Sequence, residues 1–149
     1  MTSVEEVRRL AATMRKDCVA MRVRQLNRRI TRLYDAALRP YDVTTAQLNV
    51  LVALALAGEA RATDIAAALA IEKSTLSRNL ARMIERGWVS AGEGGRGGQL
   101  LRLLAPGRAI VQRAMPAWQS AQREARAALE PALMAALGGG STLEPDARR

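Results

Sequence analysis

Phenylalanine and histidine are both absent from this chain, and aromatic residues of all kinds make up only 3% of it. A core without phenylalanine has to be built from Leu, Ala, Val and Met, which favours packed helices over an aromatic-rich β-sandwich. The lack of histidine removes the commonest general base near neutral pH and the commonest transition-metal ligand. The sequence also shows no paired carboxylates in a Gly-rich setting, no metal-ligand cluster and no phosphate loop. Neither catalysis nor a metal or other cofactor is therefore expected. The single cysteine, Cys18, has no partner for an intrachain disulfide, which fits a reducing cytoplasm. No apolar run approaches the roughly 20 residues that span a bilayer. The opening Met1-Thr-Ser-Val-Glu-Glu lacks the basic-then-apolar order of an export signal. The expectation is a cytoplasmic protein with no membrane partner.

What the chain has is arginine. Its net charge is +9, from 23 basic and 14 acidic residues, and lysine occurs only at Lys16 and Lys73. The planar guanidinium suits bidentate contact with phosphate and guanine. A GC-rich genome inflates Arg and Ala in the same way, so charge alone does not decide the matter. The length, 149 residues, fits one domain with a real core.

Ser3 with Glu6 predicts a capped helix near the start. From Val19 the apolar residues fall at Val19, Val23, Leu26, Ile30, Leu33 and Ala37, a four-three seam for packing against another helix. Pro40 ends that helix, whose other faces carry Arg22, Arg24, Arg28, Arg29, Arg32 and Arg39. Thr44 with Gln47 forms a second capping box, opening a helix that runs to about Leu56 and stops at Gly58. Two short helices follow, about Ala62 to Leu69 and about Lys73 to Arg86, with Ile65, Leu69, Leu76, Leu80, Met83 and Ile84 inward. Trp88–Ala91 and Leu100–Leu104 read as two strands, and the mostly Gly segment between them as an irregular loop. Pro106 opens a long helix with Pro116 inside it, and Pro131 opens a last short one, Ala132 to Leu137. A mobile tail closes the chain. The long terminal helices, apolar along one stripe, are expected to interlock between two chains.

The segment Lys73 to Arg86 carries the function. Its non-core positions include Lys73, Ser74, Thr75, Ser77, Arg78, Asn79 and Arg82, while Glu72 and Glu85 lie at or outside its ends. An ordinary solvated face would mix Glu with the bases. This one has short hydroxyls and guanidiniums at the end that meets base edges in a major groove, with Ser74 as a candidate N-cap. In the hairpin loop, glycines allow close approach and Arg96 is placed to enter a minor groove.

In this order the segments Arg28-Arg-Ile-Thr-Arg-Leu-Tyr34, Leu38-Arg-Pro40, Val43-Thr-Thr-Ala-Gln47, Ala62-Thr-Asp-Ile-Ala-Ala-Ala-Leu69, Ser74 through Gly87, and Ala105-Pro-Gly-Arg108 are specific as a set. Residues 15 to 137 resemble the MarR-type winged helix-turn-helix regulators. The resemblance implies a mainly α fold with a small β-hairpin wing, in which a winged helix-turn-helix sits between N- and C-terminal dimerisation helices. It divides the chain into residues 1–40 and 106–137 for dimerisation, 41–105 for DNA binding, and a disordered tail at 138–149. It implies a homodimer on a palindromic operator in double-stranded DNA, acting as a repressor and released by a small aromatic effector or an oxidant. Ser77 and Arg78 are then the base readers. Thr75, Asn79, Arg82 and Arg96 mainly position phosphates, and Lys73 and Ser74 complete the DNA-binding set. Two departures stand out. The family's wing Asp-x-Arg is missing its Asp, with Arg96 one residue early and Gly97 in the Arg position. Leu104 replaces the usual Thr before the last long helix.

For the signal, Cys18 lies where a peroxide-sensing branch keeps its reactive cysteine, flanked by Arg15, Lys16 and Arg22. It stands about two residues early, a turn of roughly 200° on a helix, and it also suits a small buried or interface position. Arg24, Arg28, Tyr34, Met115 and Trp118 are candidate lining for an aromatic ligand and equally plausible as packing or surface. The competing function is a winged-helix protein-interaction module without an operator. It would show an apolar or acidic outer face on the second short helix.

Overall fold

The computed structural model describes residues 3–129; the short helix expected at 132–137 and the tail at 138–149 lie outside them. Helix α1 (Val4–Asp17) starts where Ser3, in extended conformation, accepts a hydrogen bond from the Glu6 amide at 3.2 Å. Glu5 and Glu6 in its first turn and Arg15 and Lys16 in its last complement the helix dipole. Cys18 is extended (φ −68°, ψ 106°) and separates α1 from α2 (Val19–Leu38). Pro40 then confines the chain to a short 3₁₀ turn, Arg39–Tyr41, and Asp42 reverses it in the left-handed region at φ 54°.

Helix α3 (Thr45–Ala57) has the full capping box. The Gln47 amide donates to Thr44 Oγ1 at 3.2 Å, and the Thr44 amide donates to Gln47 Oε1 at 3.0 Å. Asp35 of α2 reinforces this end. Its Oδ1 accepts from both the Thr45 amide (2.7 Å) and hydroxyl (2.6 Å), so a carboxylate sits at a helix N-terminus where the dipole favours it. Val50, Leu51 and Leu54 are fully buried, which makes α3 a central strut of the core.

The strands and remaining helices close around α3. A short strand, β1 (Glu59–Arg61), leads into α4 (Ala62–Ala68); then come α5 (Lys73–Glu85), β2 (Val89–Gly95), β3 (Gly98–Leu103) and α6 (Ala105–Ala128). The sheet is antiparallel in the order β1-β3-β2. Strand β1 was not expected; three residues are too few to display alternation, and its partner β3 is about forty residues away (Glu59 faces Arg102). The Gly-rich segment is also more regular than expected. β2 and β3 pair out to Gly95–Gly98 and leave only Arg96 and Gly97 as the turn, with an irregularity between Ala91 and Gly94. Backbone pairing needs no side chains, and Gly97 and Gly98 supply the positive φ values (111° and 79°) that the reversal requires.

Helix α5 begins at Lys73, so Ser74 lies inside its first turn. Glu72 occupies the cap without a side-chain bond, which corrects the expectation that Ser74 caps the helix. Its C-terminus is a Schellman motif. The Gly87 amide donates to the Ile84 carbonyl and the Trp88 amide to the Met83 carbonyl, both at 2.9 Å, with Gly87 left-handed at φ 65°. Leu76, Leu80 and Met83 are buried as the spacing predicts, but Ile84 remains 38% exposed. Three positions over two turns saturate the contact with the core, and Ile84 falls at its edge.

Helix α6 runs unbroken through Pro116 and packs along α2 and α3. Leu104 caps it without a side-chain bond, as the loss of the usual Thr implies; Arg108 Nη1 separately ties the first turn to the end of β3 by donating to the Leu103 carbonyl at 3.0 Å. Gly107 is buried against the root of the wing. A Cβ there would strike the Trp88 carbonyl oxygen and lie 2.7 Å from Leu103 Cδ1. Replacing glycine by alanine inside a helix gains up to about 1 kcal/mol from backbone entropy, whereas overpacking costs about 1–3 kcal/mol. Because the struck atom is backbone, the clash wins. Gly107→Ala is expected to lower stability by about 1–2 kcal/mol in urea denaturation. A midpoint equal to the parent's would show that α6 slides freely off the wing root.

Candidate nucleic-acid interface

The face of α5 opposite Leu76, Leu80 and Met83 is open. Lys73, Ser74, Ser77, Arg78 and Arg82 are exposed, while Thr75 and Asn79 are half-buried. Asn79 Nδ2 donates to the Thr75 carbonyl at 3.1 Å and Arg78 Nη2 to Thr75 Oγ1 at 3.4 Å, so Thr75 organises its neighbours. Asn79 therefore has its amide committed to the helix backbone. Ser77 and Arg78 remain the exposed hydroxyl and guanidinium in the N-terminal half. No acidic side chain lies within α5 before Glu85, so the guanidiniums meet no competing carboxylate on their own face.

Beside this face stands the wing. Arg96, exposed, is the only long side chain of the turn. Between α5 and the wing lies an open cleft of about 420 Å³, walled by Ala62, Thr63, Lys73, Ser77, Ile84 and Gln99 among others. Both elements thus border one concavity, with Lys73 and Ser77 on its α5 side.

Sequence reasoning did not single out Arg61 and Thr63, and it counted Arg86 among the outward positions of the helix without its partner. Arg86, at the C-cap of α5, donates through Nη1 to the Asp42 carbonyl (2.5 Å) and pairs through Nη2 with Asp42 Oδ2 (2.6 Å). Its guanidinium also stacks 4.9 Å from the Trp88 ring centre. Arg61 Nη1 donates to the Gly98 carbonyl at 3.1 Å, and Thr63 donates to the Gly97 carbonyl from its hydroxyl (2.8 Å) and its amide (3.2 Å). These contacts span more than thirty residues of sequence (for example |i−j| of 34 for Thr63 and Gly97), so no local spacing announces them.

The candidate ligand and redox residues do not gather in one place. Met115 and Trp118 line a cleft of about 230 Å³ between α3 and α6, together with Leu48, Asn49, Val52 and Val111. Tyr34 is engaged elsewhere: its hydroxyl donates to Gln122 Oε1 across the α2–α6 seam. Arg24 and Arg28 are exposed on α2, and Cys18 is half-buried at the α1–α2 junction. Among the described residues, no group of His, Cys, Asp and Glu has the arrangement of a metal site, and no helix is long and apolar enough to cross a membrane.

Burial raises the Tyr34 hydroxyl pKa above its ordinary 10.0, an effect partly offset by the positive charge of Arg126. A folded pKa above the unfolded one means that the folded protein holds the proton longer. The associated stability is fully present below about pH 10 and is lost as pH rises through the folded value. Tyr34→Phe is expected to flatten the stability profile above about pH 10. Removing Arg126 is expected to push the Tyr34 titration, followed by tyrosinate absorbance in a Tyr41→Phe background, still higher. A downward shift in that variant would refute the assignment of Arg126 as the offsetting charge.

A protein-family model described as the MarR family matches residues 41–97. The transcriptional regulator MosR of M. tuberculosis superposes with a TM-score of 0.74 at 30% identity, covering 83% of this chain and 92% of that one. The same regulator in complex with DNA gives a TM-score of 0.70 at 31% identity, covering 81% and 91% respectively. A mutant MarR from E. coli complexed with operator DNA shares the fold with a TM-score of 0.71 at 24% identity, covering 83% and 91%. No match is found among curated proteins.

Proposed function

The chain belongs to the MarR family of winged helix-turn-helix transcriptional regulators, and on that footing we propose that it reads a palindromic operator in double-stranded DNA as a homodimer and represses the genes beside it. The observation that carries this reading is the bare hydroxyl- and guanidinium-bearing face of α5, with Gly98 and Gln99 of the wing across the adjoining cleft and Arg96 exposed at the turn before them. Ser77 and Arg78 contact base edges, since they are the exposed pair in the half of the helix that enters a major groove. Lys73, Ser74, Thr75, Arg82 and Arg96 engage phosphates or the neighbouring minor groove. Asn79 contributes by fixing Thr75. The acidic or apolar outer face that a protein-interaction module needs is absent from α5 among the described residues.

Dimer formation is supported by apolar surface that one copy leaves uncovered. Val4, Val7, Leu10 and Met14 of α1 are each more than half exposed, as are Val19 and Val23 of α2. In this reading residues 1–40 and 106–137 form the dimer and residues 41–105 the DNA-binding unit. Two reading helices then meet successive major grooves about one DNA turn apart. For the effector, the α3–α6 cleft is the better candidate than Cys18. At about 230 Å³ it exceeds the ~150 Å³ that accommodates a benzene ring. Its walls are Leu, Val, Met and Trp with the Asn49 amide and no charge, a lining suited to a small neutral aromatic molecule.

The test is binding to a duplex selected from a random-sequence pool by the protein itself. Steep salt dependence is expected from phosphate neutralisation. Arg78→Ala is expected to weaken binding to the selected duplex by about 1–3 kcal/mol while barely changing binding to random DNA. Equal losses on both would remove Arg78 from the base-reading role. Failure to enrich any sequence would remove the operator altogether.

A further inference from the structure

The wing raises a physical problem that its own strands do not solve. Between Val89 and Leu103 it contains five glycines, at 92, 94, 95, 97 and 98, and its pairing is irregular between Ala91 and Gly94. Glycines carry the largest backbone entropy and contribute no side-chain packing. A hairpin so composed does not by itself hold Arg96 in one place, and the wing aspartate usual in MarR-type regulators is missing. Something outside the hairpin has to fix its tip.

We infer that Thr63, assisted by Arg61, is a positioning residue that fixes the wing tip, and hence Arg96, relative to the reading helix. This rests on the DNA-reading role proposed above. The Gly97 carbonyl, one residue past Arg96, accepts from the Thr63 hydroxyl at 2.8 Å and from the Thr63 amide at 3.2 Å; the next carbonyl, of Gly98, accepts from Arg61 Nη1 at 3.1 Å. The tip sits flush on the first turn of α4. A Cβ at Gly97 would fall 2.9 Å from Arg61 Cδ and 3.2 Å from Thr63 Oγ1.

The arrangement serves both partners. Helix α4 has Arg61 at its N-cap and no side-chain cap bond, so the free Thr63 amide needs an acceptor, and the wing carbonyl provides it. In return, the tip is referenced to α4, which packs directly against α5. The turn bearing Arg96 and the face bearing Ser77 and Arg78 are thereby set at a fixed spacing, which simultaneous engagement of a major and an adjacent minor groove requires.

The experiment is a double-mutant cycle on the intact protein with the self-selected duplex as probe. Thr63→Val removes the hydroxyl and keeps the shape; it is expected to weaken binding about two- to tenfold, the range for one hydrogen bond. Thr63→Ser is expected to restore it. In an Arg96→Ala background, Thr63→Val is expected to cost nothing further, because the residue acts through the arginine. Wing amides should exchange hydrogen faster in Thr63→Val while those of α3 stay unchanged. Gly97→Ala should reproduce the loss by wedging the tip away. Equal Thr63→Val losses with and without Arg96 would overturn the inference, as would an undiminished affinity in Thr63→Val when Arg96→Ala binds weakly. If Arg96→Ala alone changes nothing, the wing arginine itself is not read and the inference falls. If no duplex is selected by the parent protein, the failure lies with operator binding.

Discussion

Leu76, Leu80 and Met83 are almost wholly inaccessible to solvent, and their burial determines which side of α5 faces out. The spacing of four and then three residues commits one stripe of the helix to α3 and the sheet, and the remaining positions have no choice but to face water or a partner. The Schellman turn at Gly87 locks this rotation. Its two backbone bonds end the helix at a defined residue and deliver Trp88 into the core, so α5 cannot roll without breaking both. Arg86 adds a second restraint through Asp42, although that pair is largely solvated and contributes modestly. The outward presentation of Ser77 and Arg78 depends on that orientation.

The wing follows a different logic. The reading helix is fixed by apolar packing, the hairpin mainly by backbone polarity: β3 pairs with β1 on one side and β2 on the other, and the tip lends its carbonyls to Arg61 and Thr63. At the root the two logics meet. Val89 and Leu101 lie in the core, and Gly107 lets α6 start directly against the Trp88 carbonyl. The Leu104 amide donates to that same carbonyl, so the end of the hairpin and the beginning of α6 share one anchoring point.

Much of this was legible in the sequence because it rests on local chemistry. The Thr44–Gln47 box, the Gly58 and Gly87 stops, Pro40, and the apolar spacing of α5 each act within a few residues, and the structure realises them. The ordered set of segments identified the fold class for the same reason. The misses share the opposite property. Strand β1 and the Thr63–Gly97 bonds join residues more than thirty apart, and the extended pairing of the Gly-rich strands is made by backbone groups that carry no side-chain signature. The expected cap at Ser74 failed because Glu72 already holds the extended conformation before the helix, which leaves Ser74 inside it. In the ligand region, residue type alone grouped Tyr34 with Trp118, whereas the helix packing sends one to Gln122 and the other to the α3–α6 cleft.

Helix α1 bears on the proposed dimer. Every side chain from Val4 to Lys16 is exposed, and the apolar ones recur every three or four residues along one side. A helix of 14 residues is marginal in water without a surface to cover it, since isolated helices below about 12–15 residues barely form. In the proposed dimer, a second copy of the chain would offer the matching stripe. Its approach would also reach the DNA-reading unit through α2, whose Asp35 grips the first residue of α3 and whose C-terminal turn holds Asp42 against Arg86. The path from the apolar stripe to α5 therefore runs through α1, the extended Cys18 and α2, and ends in three short polar contacts. In the proposed dimer, a small change in how two copies pack at α1 and α2 would be passed along this path to the spacing of their α5 helices. The α3–α6 cleft lies beside this path, between the helix that α2 grips and the helix that α2 packs along. In the proposed dimer, a molecule wedged there would act on that spacing without touching Ser77 or Arg78.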